Sequence, residues 1–215
     1  MRDVRLIYKK QGRAKYISHL DMNRLFSRII KRSKLPIWYT EGFNPHAFFT
    51  FALPLSLGFV SEYDICDFRI TDDSLDNQSV ADILRKAVPE SIEVVDVIAP
   101  VMKVKELAFA YFKVQIEATE QNADKLIKFL EAPQIQVEKT TKKKGLQIFD
   151  VKPMIKELKI EKNESGLDIT LLLPCGVEQN INPSIIFASA EKTVDFEIVS
   201  VTRGMLYDKN MQVFR

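Results

Sequence analysis

Histidine and cysteine are scarce in this chain: two of each among 215 residues. Cys66 and Cys175 stand far apart, with no neighbouring partner at metal-site spacing. That pattern fits reduced thiols in a cytoplasmic protein and excludes a cysteine-framed zinc or disulfide scaffold. Two histidines cannot by themselves build a usual zinc centre. Neither a glycine-rich phosphate loop nor a dinucleotide fingerprint occurs, so no metal and no cofactor is expected. No apolar run approaches the ~20 residues that cross a bilayer, so no membrane partner is expected. The opening MRDVRLIYKK has charge on both sides of a short apolar patch and does not read as a signal peptide.

What the chain does have is core-forming material and a lopsided charge. Apolar residues make up 46% and charged residues 28%, the balance of a globular fold. The length allows one large domain or two small ones. Residues 1–48 hold eleven Lys or Arg against three Asp or Glu, a charge of +8, and the remainder carries −6. A basic quarter on an otherwise acidic chain points to a local field for an anionic partner.

The periodicity predicts strands over 4–9, 64–70 and 92–98, with a short strand at 35–39. Pro54 makes 48–59 an edge or bulged segment. One helix should begin at Ser18 as N-cap, with Asp21 three residues on. Met22, Leu25, Phe26, Ile29 and Ile30 then form a single apolar stripe that ends before Pro36. A second helix is predicted over 79–88, capped by Ser79. The order of elements recurs beyond a linker at 99–108: strand 110–118, helix 122–130, paired strands 134–141 and 146–151 across TKKKG, a hairpin 158–161/167–173 across NESG, helix 183–190 and strand 196–201. The expected fold is therefore α+β, with two ferredoxin-like β-α-β-β-α-β units and antiparallel sheets, spanning 1–99 and 109–215.

Two features point to a binding surface. Arg24, Arg28, Lys31 and Arg32 lie on the polar side of the first helix, and Arg13 and Lys15 precede it, a footprint suited to a phosphate backbone. The loop TEGFNPH, residues 40–46, joins Gly42, which permits unusual backbone, to Pro45, which holds Asn44 extended. It presents Asn44 and His46 among Trp38, Tyr39, Phe43, Phe48 and Phe49, aromatics of the kind that stack on unpaired bases. The competing reading of these residues is a solvated helix face, a structural turn and a buried aromatic core. His19 and His46 are also candidate catalytic residues, an acid and base for a metal-independent endoribonuclease. A second basic cluster, Lys139 with Lys142–Lys144, sits before Gly145.

The stretch YISHLDMNRLFSRIIKRSKLPIWYTEGFNPH resembles the radical SAM-linked domain, an uncharacterised bacterial family found C-terminal to radical SAM proteins or encoded beside them. ISHLD and EGFNPH carry the resemblance, which is dense from about Lys9 to Asp67 and fainter in TKKKGLQIFDVKPMI. It implies a radical SAM protein as partner and, through the RNA-processing neighbours of some members, an RNA. It marks Ser18, His19, Asp21, Arg24, Glu41, Gly42, Phe43, Asn44, Pro45 and His46 without assigning them roles. The chain departs from the pattern at Ala47 and Phe48, where a proline and a basic or polar residue are expected. It also lacks CxxxCxxC, so it is not itself the radical enzyme. The basic opening and element order further resemble CRISPR repeat-processing endoribonucleases. The expectation is a non-catalytic RNA-binding accessory of a radical SAM enzyme. The alternatives are the endoribonuclease and a protein-interaction scaffold.

Overall fold

The computed structural model describes residues 1–141, 145–176 and 179–215. Lys142, Lys143 and Lys144 of the second basic cluster, and with them the TKKKG turn, lie outside the described residues. The fold is mixed α+β, with four α-helices among the described residues and antiparallel strand pairing. The chain divides into two compact units: residues 1–106 with the last three residues, and residues 107–212. No helix among the described residues is long and apolar enough to cross a membrane.

In the first unit, β1 (Arg2–Lys10) is flanked by β3 (Val60–Ile70) and β4 (Ile92–Ile98), both antiparallel to it. The short β2 (Phe49–Phe51) pairs with β3, Phe49 opposite Phe68. Alternation along β1 sends Val4, Leu6 and Tyr8 into the core. They meet Met22, Phe26, Ile29 and Ile30 of α1 (His19–Ser33) and Val80, Leu84 and Ala87 of α2 (Asn77–Ala87). Arg5, on the opposite side of β1, is fully buried. It binds both carboxylate oxygens of Asp67 at 2.7 and 2.8 Å and lies 4.6 Å from the ring centre of Phe214.

The second unit also combines antiparallel strands with two helices among the described residues. β5 (Leu107–Glu117) lies between β10 (Glu197–Asp208) and β9 (Gly166–Pro174), and β9 also pairs with β8 (Glu157–Asn163). The helices are α3 (Glu120–Glu131) and α4 (Pro183–Ala190), and the separate hairpin β6 (Gln136–Thr141)–β7 (Gly145–Asp150) follows α3. The NESG turn between β8 and β9 requires its glycine. At Gly166, φ is +153°, and a Cβ would stand 2.3 Å from the Ile116 carbonyl oxygen.

Several boundaries differ from the sequence expectation. The segment 35–39 forms isolated bridges, Ile37 with Ile70 and Tyr39 with Ala47, because each residue meets a different neighbour. Only three residues of 48–59 pair as a strand, in keeping with Pro54. α2 starts at Asn77, and its cap is Asp76, whose carboxylate accepts the Ser79 N–H at 2.7 Å. Ser79 thus sits inside the first turn. β5 begins at Leu107, inside the expected linker, and β10 runs to Asp208.

Candidate functional site

The N-terminal end of α1 is fixed by its own residues. Ser18 accepts the Asp21 N–H at 3.1 Å and donates its hydroxyl to Asp21 Oδ2 at 2.8 Å. That hydroxyl, and then Arg24 at 2.9 Å, hold the Asp21 carboxyl below its ordinary value. The C-terminal end closes at Lys34 in the left-handed conformation, φ 56°, after which Pro36 forbids further helix.

Between these ends the helix sorts its side chains by angle. At 100° per residue, Arg24, Arg28, Lys31 and Arg32 fall within an arc of about 100°. Met22, Phe26, Ile29 and Ile30 occupy the opposite arc and are buried. The four cations are exposed. Arg24 is neutralised by Asp21, but among the described residues Arg28, Lys31, Arg32 and Lys34 form no ion pair. Arg13 is likewise exposed and unpaired among the described residues, whereas Lys15 is half-buried, its ammonium 5.0 Å from the Tyr16 ring centre. The structure therefore gathers Arg28, Lys31 and Arg32 into one uncompensated ridge.

The loop of residues 40–46 is closed by its two ends. The Thr40 N–H donates to the His46 carbonyl at 2.9 Å, and the His46 N–H donates to Thr40 Oγ1 at 3.2 Å. His46 Nδ1 lies 3.2 Å from the Asn44 carbonyl, which only accepts. The same Nδ1 is 3.0 Å from Thr40 Oγ1. Gly42 adopts φ +118°, a region closed to other residues. At the tip, Phe43 is exposed to 105% of its reference area. Asn44 is exposed as well.

Below the loop the chain builds an aromatic stem. The Phe48 N–H donates to the Trp38 carbonyl, and the Trp38 N–H donates to the Arg69 carbonyl. The Arg69 guanidinium lies 5.5 Å from the Trp38 ring centre and 5.6 Å from that of Phe48. Asp3 accepts from Arg69 Nε at 2.7 Å and holds that guanidinium in place. Phe49 and Phe51 face the other way, packing on Phe26.

No hydrogen bond or ring contact links His19 to His46. His19 packs edge-on against Phe51 at 5.6 Å, and its Nε2 is 3.3 Å from the Asn23 amide, while His46 is engaged with Thr40 and Asn44. His19 instead lines a small cleft with Tyr8, Lys10, Phe51, Leu53 and Asp64. Lys10 and Asp64 are almost wholly buried there, and Lys10 Nζ donates to the Ile17 carbonyl at 3.2 Å. Sequence reasoning did not find this cleft, though a signal was present. Lys10 continues the inward-facing series Val4, Leu6, Tyr8, and Asp64 opposes Tyr8 across the β1–β3 pair. The space inside is about 10 Å³, the room of one water molecule.

The thiols are placed for packing. Burial pushes the Cys66 thiol well above its ordinary value, with Asp67 and Asp64 adding to the shift. Burial pushes Cys175 up to about 12, partly opposed by Arg203. Both are poor nucleophiles at neutral pH. Among the described residues no group of His, Cys, Asp and Glu is arranged to hold a metal.

Compared with known families, residues 3–183 match the one described as "Uncharacterized protein conserved in bacteria (DUF2344)". No curated protein matches the chain.

Proposed function

The chain belongs to the DUF2344 family of bacterial proteins, and from that premise we propose that it is an RNA-binding accessory protein. The observation that carries this reading is the α1 ridge. Arg28, Lys31 and Arg32 stand exposed on one face without ion pairs among the described residues. Such cations repel each other across a turn and gain most when a polyanion supplies the counter-charge. The rigid 40–46 loop with its exposed Asn44 and His46 adds donors and acceptors beside aromatic side chains.

A radical SAM enzyme is the partner this reading assigns. Its support is the resemblance carried by ISHLD and EGFNPH. We further read each unit as ferredoxin-like. Support comes from the pairing order: β4-β1-β3 with β2 on β3 in the first unit, and β10-β5-β9-β8 in the second.

Binding of the purified protein to mixed cellular RNA across a salt series tests the reading, with the same samples run on a gel for cleavage. Steeply salt-dependent binding of intact RNA is expected. Absence of binding at the lowest salt overturns it and leaves a protein-docking scaffold. Fragments that disappear with His46→Ala would instead make the protein an endoribonuclease.

A further inference from the structure

We infer that Phe43 is a stacking finger for an unpaired base, so that the RNA taken by this surface is single-stranded. The inference rests on the RNA-binding reading above and goes further by naming which form of RNA is held and by what.

Phe43 is more exposed than in an open reference peptide, at 105%, and lies at the tip of the loop. A floppy loop would explain such exposure, but this one is closed. Thr40 and His46 bond through backbone and side chain, Gly42 holds a conformation closed to other residues, and the ring of Pro45 fixes its own φ. The ring is therefore held out in water by a stiff support, the state in which a stacking partner costs little further ordering.

The stem beneath has the composition of a single-strand platform. The Arg69 guanidinium lies near the half-buried Trp38 and Phe48 rings and is anchored by Asp3. Tyr39, exposed, pairs with Ala47 at the base of the loop. Aromatic faces accept any base, and a positively charged surface tracks the phosphates. The cation beside these rings is Arg69, and Arg28, Lys31 and Arg32 stand exposed on the outer arc of α1 in the same unit. In a duplex the bases are already stacked on each other, and A-form grooves present sugars and phosphates to such a surface. A protruding ring thus gains more from an unpaired base than from a stacked pair.

The test measures fluorescence anisotropy with labelled oligouridylate and with the same strand paired to oligoadenylate, using the wild type, Phe43→Ala and Phe43→Tyr. The wild type should prefer the single strand. Phe43→Ala should weaken oligouridylate binding roughly ten-fold and leave duplex binding unchanged, while Phe43→Tyr retains the wild-type affinity. Equal binding of oligouridylate by wild type and Phe43→Ala overturns the stacking role, and if Arg28→Ala/Arg32→Ala still loses binding the RNA reading survives. Equal weakening of both RNAs also overturns it, since the ring would then serve the backbone. Failure of the wild type to bind either RNA removes the underlying reading. Phe43-dependent co-sedimentation with phosphatidylglycerol vesicles, without any Phe43 effect on RNA, would make the tip a membrane anchor and overturn the inference.

Discussion

Thr40 Oγ1 lies 3.0 Å from His46 Nδ1 and accepts the His46 backbone N–H at 3.2 Å, so the two ends of the TEGFNPH loop are locked by side chain as well as by backbone. Removing the hydroxyl with Thr40→Val should leave the fold intact, with a loss of about 1 kcal/mol in urea unfolding. RNA affinity should fall about three- to ten-fold, because the loop must then be ordered on binding. Titration of both proteins with one RNA at fixed salt checks this. An unchanged affinity would show that the lock does not prepare the loop for RNA.

The α1 ridge predicts a change in salt dependence. Arg28→Ala with Arg32→Ala removes two exposed cations that have no ion-pair partner among the described residues. For single-stranded RNA the slope of log affinity against log salt should become shallower by about 1.4, the counterion release of two phosphate contacts. Thermal stability should move little, since substitutions at exposed sites usually stay within about 0.5 kcal/mol. A full slope in the double variant would place the phosphate contacts elsewhere.

The Arg5–Asp67 pair predicts a stability effect apart from binding. Asp67→Ala strands a buried guanidinium and should cost about 3–5 kcal/mol in denaturant unfolding. Replacing both partners, Arg5→Met with Asp67→Leu, removes the stranded charge and should recover most of that loss. If the double variant is as unstable as the single one, the pair holds the fold by shape rather than by compensating charge.

The buried thiols set a high-pH limit. Cys175 titrates near 12 in the fold against 9.0 ordinarily, and Cys66 is also shifted upward. A raised value means that the folded protein keeps a proton the unfolded chain releases. That contribution is complete below pH 9 and is lost as pH rises through the folded value, with a slope of up to about 1.4 kcal/mol per pH unit for each thiol. Denaturant unfolding between pH 8 and pH 11 should show the decline, and Cys175→Ala should show a shallower one. Parallel declines in the two proteins would assign the effect to other groups.

Local features were legible because they depend on neighbours a few residues away. The Ser18 cap, the Met22-to-Ile30 stripe and the opposite cationic arc follow from helical periodicity, and all are present. The NESG turn is equally local. Ser79 misled because Asp76 offers a competing cap three residues earlier, and its carboxylate reaches the Ser79 N–H. The segment 35–39 looked like a strand because its residues favour one, yet pairing needs a continuous partner, which only the fold supplies.

Sequence alone therefore determined where the charge lies, which helix face is apolar and where the rigid loop falls. Each is a property of residue type and spacing along the chain. Tertiary structure decided the rest. It turned Lys10 and Asp64 into a buried cleft beside His19, gave His19 and His46 different neighbours, and stood Phe43 in water while Phe49 and Phe51 went to the core. The physical reason is that burial and pairing depend on strand register and helix docking, which bring together residues far apart in sequence.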